Sequence, residues 1–505
     1  MKGLDQPGPS GTAPGSRRSV QRSILFSAIE RYGNLVVFLV TTAVLARLLT
    51  PAEFGIYAVV NAVTAVVVAS FQEFGGANYL IQKRELSRAS VQTAFTVTFG
   101  ISAFTGLALL ALSGVLSQLF EQESLRKGIA VSALSFLLAP FSGTIIGLFR
   151  RDMEFGKLAT CNLASAVVGA TVSIALAMLS FGFMAPVWGG VAGSVVLTIM
   201  LLRKHRDFGV FRPSVADFRD VVGFGLYSSG ISIINVLYNL SPQLFLAKIL
   251  DFTSVGLYSR ATGITQVFDR LVVQVLNPII MPALVSRSRD AAGLRSAYLE
   301  AIELLSVVQW PFLLFIAIMA HPIILILLGQ NWLEIVPLVR FLCVANLALF
   351  AACLSYPTLV ATGSVRDALT SSLISLPPSL LVILCAAVFG AEAVAASALL
   401  TLPFQAAVAL YFIGRRLALE PKHLSRALLK SAVVTAMSAS GVMVCAALIE
   451  ARIVPSFVGL IAACGVAALC WGLGLMLTGH PLLHHLYRAA GGAVVIAPWL
   501  RLRRL

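Results

Sequence analysis

The chain has 505 residues, of which 58% are hydrophobic and only 12% are charged, and its mean hydropathy is +0.91. Soluble domains carry about 25% charged residues, so this composition excludes a soluble globular protein and indicates an integral membrane protein. The net charge of +15 does not indicate nucleic-acid binding, because the basic residues follow a membrane-topology pattern.

The N-terminal segment, residues 1–23, is rich in Gly, Pro and Ser and carries Arg17, Arg18 and Arg22. Segments of this composition bury too little apolar surface to fold alone. We expect a disordered cytoplasmic tail, with no separate cleavable signal peptide before the first apolar run.

Apolar runs of about 20 residues, long enough to cross the hydrocarbon core as a helix, recur from residue 24 to residue 478. The sequence predicts 14 transmembrane helices, at residues 24–46, 54–81, 89–114, 128–149, 158–181, 184–202, 221–248, 255–283, 300–328, 335–357, 368–390, 392–414, 428–449 and 455–478.

The basic residues predict the orientation of these helices. With the N-terminus inside, 28 of the 37 Lys and Arg residues lie in inner connections, 5 lie outside and 4 lie within spans. This positive-inside pattern predicts a multi-pass membrane protein with both termini cytoplasmic. The basic segments 203–212 and 415–426 are interpreted as topology signals, with phosphate binding as the alternative.

An internal repeat relates the two halves of the chain. Leu45–Val66 and Leu246–Val267, 201 residues apart, share seven identities over 22 positions, including Gly55/Gly256 and Tyr57/Tyr258. The copies lie six spans apart, so both halves cross the membrane in the same direction, as in a parallel repeat. We therefore expect an all-α protein with two six-helix bundles and two additional C-terminal helices.

The predicted organisation follows from this repeat. It comprises the tail 1–23, an N-terminal bundle 24–202, a basic cytoplasmic linker 203–220, a C-terminal bundle 221–414, two added helices 415–478 and a cytoplasmic tail 479–505 along the inner membrane surface.

Little in the chain indicates metal or nucleotide chemistry. All seven Cys lie in predicted spans without metal-ligand spacing, and no phosphate-binding loop of the G-x-x-x-x-G-K-[ST] type occurs. His480, His484 and His485 cluster near the C-terminus but lack acidic or Cys partners for a metal site. We expect no cofactor and no metal.

Polar residues recur at helical spacing in two predicted spans. Intramembrane polar residues are costly, so they face a polar interior or one another. In span 255–283 they form one face with Asp269 at its edge, and in span 221–248 they form a second stripe. The face in span 255–283 consists of Thr262, Gln266, Arg270, Gln274 and Asn277. The stripe in span 221–248 consists of Ser228, Ser232, Asn235 and Asn239.

These stripes predict a watery cavity between the two halves, with buried contact between helices as the alternative. In the first half, Arg31 and Asn34 share one face, and Glu73 is the repeat equivalent of Gln274. For Glu30, Arg31 and Arg260, a position near a span end is the alternative interpretation.

The charges of this cavity predict an anionic ligand. Its deepest charges are mostly Arg, and the planar guanidinium binds phosphate through two parallel hydrogen bonds. Glu30, Glu73 and Asp269 are candidates for proton or sodium coupling, since an isolated intramembrane carboxylate exchanges a proton readily.

Several motifs resemble a known family. LLTPAEFGIYAVV, FQEFGGANYLIQKRELSRASVQTAF, ILDFTSVGLYSRA and LLGQNW are similar to the bacterial polysaccharide transporter family, the Wzx-type flippases of the multidrug/oligosaccharidyl-lipid/polysaccharide exporter superfamily. The resemblance covers roughly residues 20–420. It implies two six-helix bundles with two extra helices, located in the bacterial inner membrane. It also implies movement of undecaprenyl-diphosphate-linked oligosaccharide from the cytoplasmic to the periplasmic leaflet by alternating access.

The resemblance also implies site residues. Related lipid II flippases carry basic residues for the diphosphate in the first and eighth spans, and Arg31, Arg260 and Arg270 occupy similar places. Family members often carry Asp late in the seventh span, where this chain has Ser241 and Pro242. A coupling role at that position is therefore not expected here.

The resulting hypothesis is a lipid-linked oligosaccharide flippase for exopolysaccharide or lipopolysaccharide biosynthesis. Its diphosphate would contact Arg31, Arg260 and Arg270, and its sugars would contact Asn235, Asn239, Gln266 and Gln274. A polysaccharide polymerase and a chain-length regulator are the expected protein partners, and nucleic acid is not.

Two other functions compete with this hypothesis. A small-molecule antiporter of the multidrug type shares the expected fold but would favour an acidic cavity. A membrane-embedded polymerase or glycosyltransferase would need a larger external loop or cytoplasmic domain, and the chain offers only short connections.

Overall fold

The computed structural model describes residues 14–72, 79–80, 86–273, 291–350, 354–355, 358–359 and 364–489. Throughout these ranges the chain forms helices and short connections and contains no β-strand.

The described helices fall into two groups along the chain. The first seven are α1 (Pro14–Leu48), α2 (Pro51–Gln72), α3 (Arg88–Leu119), α4 (Glu123–Arg151), α5 (Phe155–Met178), α6 (Met184–Lys204) and α7 (Phe218–Ile249). The remainder are α8 (Phe252–Thr265), α9 (Ala291–Ile318), α10 (Ala320–Leu327), α11 (Val336–Asn346), α12 (Val365–Ala387), α13 (Ala391–Leu417), α14 (Pro421–Glu450), α15 (Ser456–Thr478) and α16 (Pro481–Ala489).

Helices long and apolar enough to cross a membrane number 11 within the described residues. They coincide with 11 of the 14 predicted spans. The other three, 54–81, 221–248 and 255–283, overlap α2, α7 and α8 and include residues or side chains outside the described part of the chain. The all-helical multi-pass architecture is confirmed, and 14 remains an approximate count.

The chain divides into two compact units, Met1–Lys248 and Ile249–Leu505. The two copies of the repeat supply equivalent helix starts, because α2 begins at Pro51 and α8 begins 201 residues later at Phe252. Each start is capped by a side chain. The Glu53 carboxylate accepts from the Thr50 amide at 2.8 Å, and Asp251 accepts from the Ser254 amide at 2.7 Å.

Close packing between α5 and α6 organises the first unit. A Cβ at Gly189 would lie 1.8 Å from Ser173 Oγ and 2.5 Å from the Gly169 carbonyl oxygen. The Ser165 hydroxyl donates to the Gly193 carbonyl oxygen at 2.8 Å. The small residues therefore allow two backbones to approach, as the spacing of Gly189 and Gly193 predicts.

Gly143 differs from Gly189 in its surroundings. The Gly143-x-x-x-Gly147 spacing suggests a second close helix contact or a dimer face, and a Cβ at Gly143 would meet no described atom within 4 Å. Among the described residues there is therefore no close helix contact at Gly143, and the dimer face stays a prediction.

The segment after α6 folds back onto the start of α3. Asp207 accepts from Arg88 at 2.8 Å, and Gln92 Nε2 donates to the Gly209 carbonyl oxygen at 2.8 Å. Val210 is buried in the same contact. The basic segment predicted as a linker is thus packed against the bundle through polar side chains of α3.

Both chain ends contain more helix than the sequence suggests. The helix α1 begins at Pro14, inside the predicted tail 1–23, because Arg and Gln are good helix formers and continue the apolar helix outward. Residues 1–13 and 490–505 lie outside the described residues.

A buried polar cluster anchors α16 in the second unit. His480, which directly precedes α16, is 0% exposed. Its Nδ1 accepts from the Leu482 amide at 3.2 Å, so the proton of the neutral ring is on Nε2, which lies 3.3 Å from Ser431 Oγ. Ser306 donates to Ser431 at 2.9 Å, and Glu303 lies 3.8 Å from Nε2.

This cluster predicts that the docking of α16 weakens in acid. Burial, assisted by the positive charge of Lys430, lowers the pKa of His480 from 6.5 to about 4. A released His480 takes up a proton near pH 6.5, whereas the docked ring does so only near pH 4. Docking is therefore fully favourable above pH 6.5 and loses up to roughly 3 kcal/mol as the pH falls to 4.

Limited proteolysis of the C-terminal segment between pH 7.5 and pH 4.5 measures this effect. Among the described residues, the other charged or titratable groups at this contact are Glu300 and Glu303 on α9, Lys430 on α14 and His485 on α16. Cleavage should increase with acidity in the native chain and in His484→Gln, whose side chain is exposed. An equally steep pH dependence in His480→Gln would contradict the assignment.

Candidate functional site

Three polar residues of the second unit lie at successive helical turns at the C-terminal end of α8. The Gln266 amide donates to the Thr262 carbonyl oxygen at 3.0 Å, and the Arg270 amide donates to the Gln266 carbonyl oxygen at 3.1 Å. These successive bonds place Thr262, Gln266 and Arg270 on one helical face. Gln266 is exposed and Arg270 is half-buried.

The hydrogen-bonding pattern of the helix changes at the C-terminal end of this polar face. Asp269–Val273 forms a π-helical turn, which contains an additional residue relative to an α-helix. Asp269 is exposed, and its carboxylate is next in sequence to the half-buried Arg270. Such turns are frequent at functional sites. The polar face therefore ends at a wider helical turn that carries both charges.

Arg260 lies on the same helix but on a different face. It is half-buried among the buried residues Tyr258 and Ala261. Ten residues separate it from Arg270, which is about 15 Å along a helix and about 80° around it. At the equivalent position of the first unit, Val59 is 0% exposed. At this repeat position, only the second copy carries a positive charge.

The candidate residues of the first unit lie where α1 contacts α5. Asn162 Nδ2 donates to Glu30 Oε1 at 2.5 Å. Gly33 brings α1 close to α5, since a Cβ there would lie 2.9 Å from the Leu163 side chain. Arg31 is half-buried one residue after Glu30. Glu30 is therefore held by an amide of a neighbouring helix.

Asn34 lies one turn beyond Glu30 on α1. Its Oδ1 is buried and has no hydrogen-bond partner among the described residues. An unpaired buried acceptor is costly, so this atom is available to a donor on a ligand or a water molecule.

The remaining predicted site residues are described only in part. Asn239 is exposed on α7. The backbone of Asn235 lies in the same helix, but its side chain is outside the described residues, as are Glu73 and Gln274 entirely. Within the second unit the structure brings together Gln266, Asp269 and Arg270 at the C-terminal end of α8 and places Arg260 on another face of that helix, and within the first unit Glu30, Arg31 and Asn34 lie within one turn and a residue of α1.

Sequence reasoning missed two features of the first unit. The first is Asn162, a lone amide in the apolar span 158–181, which was a signal for an interhelical partner. The second is a cavity lined by hydroxyl groups of α2, α4 and α6. The polar residues of these helices do recur at helical spacing, as in Tyr57, Asn61 and Thr64.

Comparison with known families and proteins agrees with this fold. The family described as "Polysaccharide biosynthesis protein" matches residues 44–337, more than half of the chain. The chain is 25% identical over 326 residues to the lipopolysaccharide biosynthesis protein WzxC of Escherichia coli (strain K12), covering 64% of this chain and 66% of WzxC. It is 23% identical over 337 residues to the succinoglycan biosynthesis transport protein ExoT of Rhizobium meliloti (strain 1021), covering 65% of this chain and 66% of ExoT.

Solved structures share the fold at low identity. The lipid II flippase MurJ in its inward closed conformation superimposes with a TM-score of 0.74 and 12% identity, covering 92% of this chain and 99% of MurJ. An inward-facing multidrug resistance MATE transporter of the MOP superfamily gives a TM-score of 0.61 and 13% identity, covering 77% of this chain and 98% of that transporter.

The alignments to WzxC and ExoT each span just under two-thirds of the relative's length. The family match includes α2 through α9, and so contains both copies of the repeat and the charged turn after α8. This chain is a multi-pass membrane protein that belongs to the polysaccharide biosynthesis protein family.

Proposed function

We propose that this protein is a transporter that moves a polyprenyl-diphosphate-linked oligosaccharide, with undecaprenyl as the expected lipid, across the bacterial inner membrane for exopolysaccharide or lipopolysaccharide biosynthesis. Membership of the polysaccharide biosynthesis family supports this proposal. The observation that carries it is the polar face of α8, which ends at a turn bearing Arg270.

The positions of the charges suggest how such a ligand would be held. A diphosphate is much shorter than the roughly 15 Å of helix between Arg260 and Arg270. The two guanidinium groups would therefore bind it at successive depths rather than together, with Arg31 as a third positive group. Gln266 and Asn239, both exposed, would donate to and accept from sugar hydroxyls, together with Asn235 and Gln274.

The carboxylates differ in their suitability for coupling. Glu30 already accepts a hydrogen bond from Asn162 of α5, so this carboxylate has a partner within the first unit. Asp269 is exposed beside Arg270, where the arrival of a diphosphate would compete for the same guanidinium. We therefore favour Asp269 over Glu30 as the carboxylate that couples transport to a proton or sodium ion, and Glu73 stays a candidate.

A multidrug antiporter is the second candidate function, because the MATE transporter shares the fold. The Arg residues of α8 and its following turn argue against it, since cationic drugs would be repelled there.

Complementation separates these functions. In a bacterium lacking its own copy of the gene, expression should restore polymer on the cell surface and lower the amount of lipid-linked repeat unit inside. Drug resistance should not change. Restored drug efflux without restored polymer would instead support the antiporter. The length of the polymer should depend on a polymerase and a chain-length regulator. Transport itself should not depend on them.

A further inference from the structure

A cavity of about 300 Å³ lies inside the first unit, between α2, α4 and α6. Its polar lining comes from all three helices, and a buried aromatic ring, Phe136, forms part of its wall. The polar lining includes Tyr57, Asn61, Thr64, Ser132, Ser135 and Ser194. None of the described residues that line it is charged.

Three polar side chains of this lining can bind a ligand. Within the described part of the chain, the side chains of Asn61, Ser132 and Ser135 make no hydrogen bond, whereas Thr64 and Ser194 donate to carbonyl oxygens of their own helices at 2.9 Å. A hydroxyl that donates in this way keeps its lone pairs as acceptors. The cavity therefore presents both donors and acceptors.

The absence of charge restricts the ligand. The cavity is partly open and offers no charged side chain to pair with an ion, so it favours a neutral ligand over diphosphates and cationic drugs. A purely apolar chain would leave the hydroxyl and amide groups unpaired. A neutral, polyhydroxylated ligand satisfies both conditions, and the aromatic wall suits the C–H face of a sugar ring.

The volume of the cavity agrees with a sugar ligand. Ligand pockets start at roughly 300 Å³, a volume equal to about ten molecules of liquid water and large enough for about one or two sugar rings. The lining residues belong to α2, α4 and α6, which all begin on the same side of the membrane if the spans alternate. The predicted topology places that side outside.

We propose that this cavity binds a neutral sugar of the transported oligosaccharide, at a site separate from the Arg residues that bind the diphosphate. This inference rests on the proposed function. It adds that the oligosaccharide is recognised in the first unit by hydroxyl and amide groups, while the diphosphate is recognised by guanidinium groups.

Saturation-transfer NMR on the full chain in nanodiscs tests the proposal. The probes are the methyl glycosides of glucose, galactose, mannose and N-acetylglucosamine, with glucuronic acid as a charged comparison. At least one neutral glycoside should bind and glucuronic acid should not. Asn61→Leu and Ser135→Ala should each weaken binding at least fivefold. Ser113→Ala is the matched control, because that hydroxyl lies on α3 outside the cavity and donates to the Leu110 carbonyl oxygen at 2.7 Å.

Each outcome either supports or overturns the proposed sugar site. Binding of no neutral glycoside to the native chain, or equal binding to native and both cavity variants, would overturn the sugar site. Thermal unfolding of each variant shows whether it is folded. If Asn61→Leu is misfolded, Ser135→Ala, which removes a single oxygen, decides the outcome. The proposed transport function fails separately, by lack of complementation. A chain that restores polymer but binds no glycoside refutes only the cavity proposal.

Discussion

Replacing Arg270 with alanine should reduce polymer export at least tenfold without reducing the amount of protein in the membrane. A guanidinium bonded to phosphate contributes about 1.5–3 kcal/mol per charge-assisted hydrogen bond, and a loss of 1.4 kcal/mol is a factor of ten in binding. Removing Arg31, Arg260 and Arg270 together should abolish export. Surface polymer, measured per unit of membrane-inserted protein, reports the effect.

Two variants distinguish the effects of the position and the planar geometry of the Arg270 side chain from the effect of its charge alone. Arg270→Lys keeps the positive charge but loses the planar pair of donors, so its export should be intermediate. Arg340→Ala removes an exposed Arg of α11 in the same unit that is not part of the candidate site, and its export should remain near normal. Equal losses in Arg340→Ala and Arg270→Ala would show that total charge matters and that the α8 turn does not.

Gly189→Ala should destabilise the first unit strongly, while Gly190→Ala should leave it unchanged. At Gly189 the added methyl group would meet the Gly169 carbonyl oxygen at 2.5 Å, so the backbones of α5 and α6 must separate. At Gly190 the same group would meet no atom of the described residues within 4 Å. Overpacking against a backbone costs roughly 2–4 kcal/mol.

The thermal unfolding midpoint of the purified chain in detergent measures this difference. The two variants carry the same chemical change one residue apart on one helix, so helix propensity cancels between them. Equal midpoints for the two variants would contradict the close approach of α5 and α6 at Gly189.

Local patterns predict much of this architecture. Apolar length locates the helices, and the repeat predicts that α2 and α8 begin at equivalent residues, Pro51 and Phe252. The spacing of Thr262, Gln266 and Arg270 predicts their shared face, because an α-helix brings residues four apart together. These features depend only on residues close in sequence.

Contacts between distant residues were not predictable in this way. Asn162 and Glu30 are 132 residues apart, and no helical period connects them. The π-helical turn at Asp269–Val273 has no local marker such as proline. The cavity between α2, α4 and α6 combines three polar stripes that are each weak alone, and it becomes visible only when the helices are placed side by side.

Transport by the purified chain in liposomes tests the central claim most directly. Liposomes would contain a polyprenyl-diphosphate-linked oligosaccharide, and a sugar-cleaving enzyme added outside would measure how much becomes accessible with time. The native chain should make the inner-leaflet fraction accessible, whereas protein-free liposomes and the Arg31/Arg260/Arg270 alanine variant should not. Equal rates for the native chain and this variant, or no transport above protein-free liposomes, would contradict a flippase that uses these guanidinium groups.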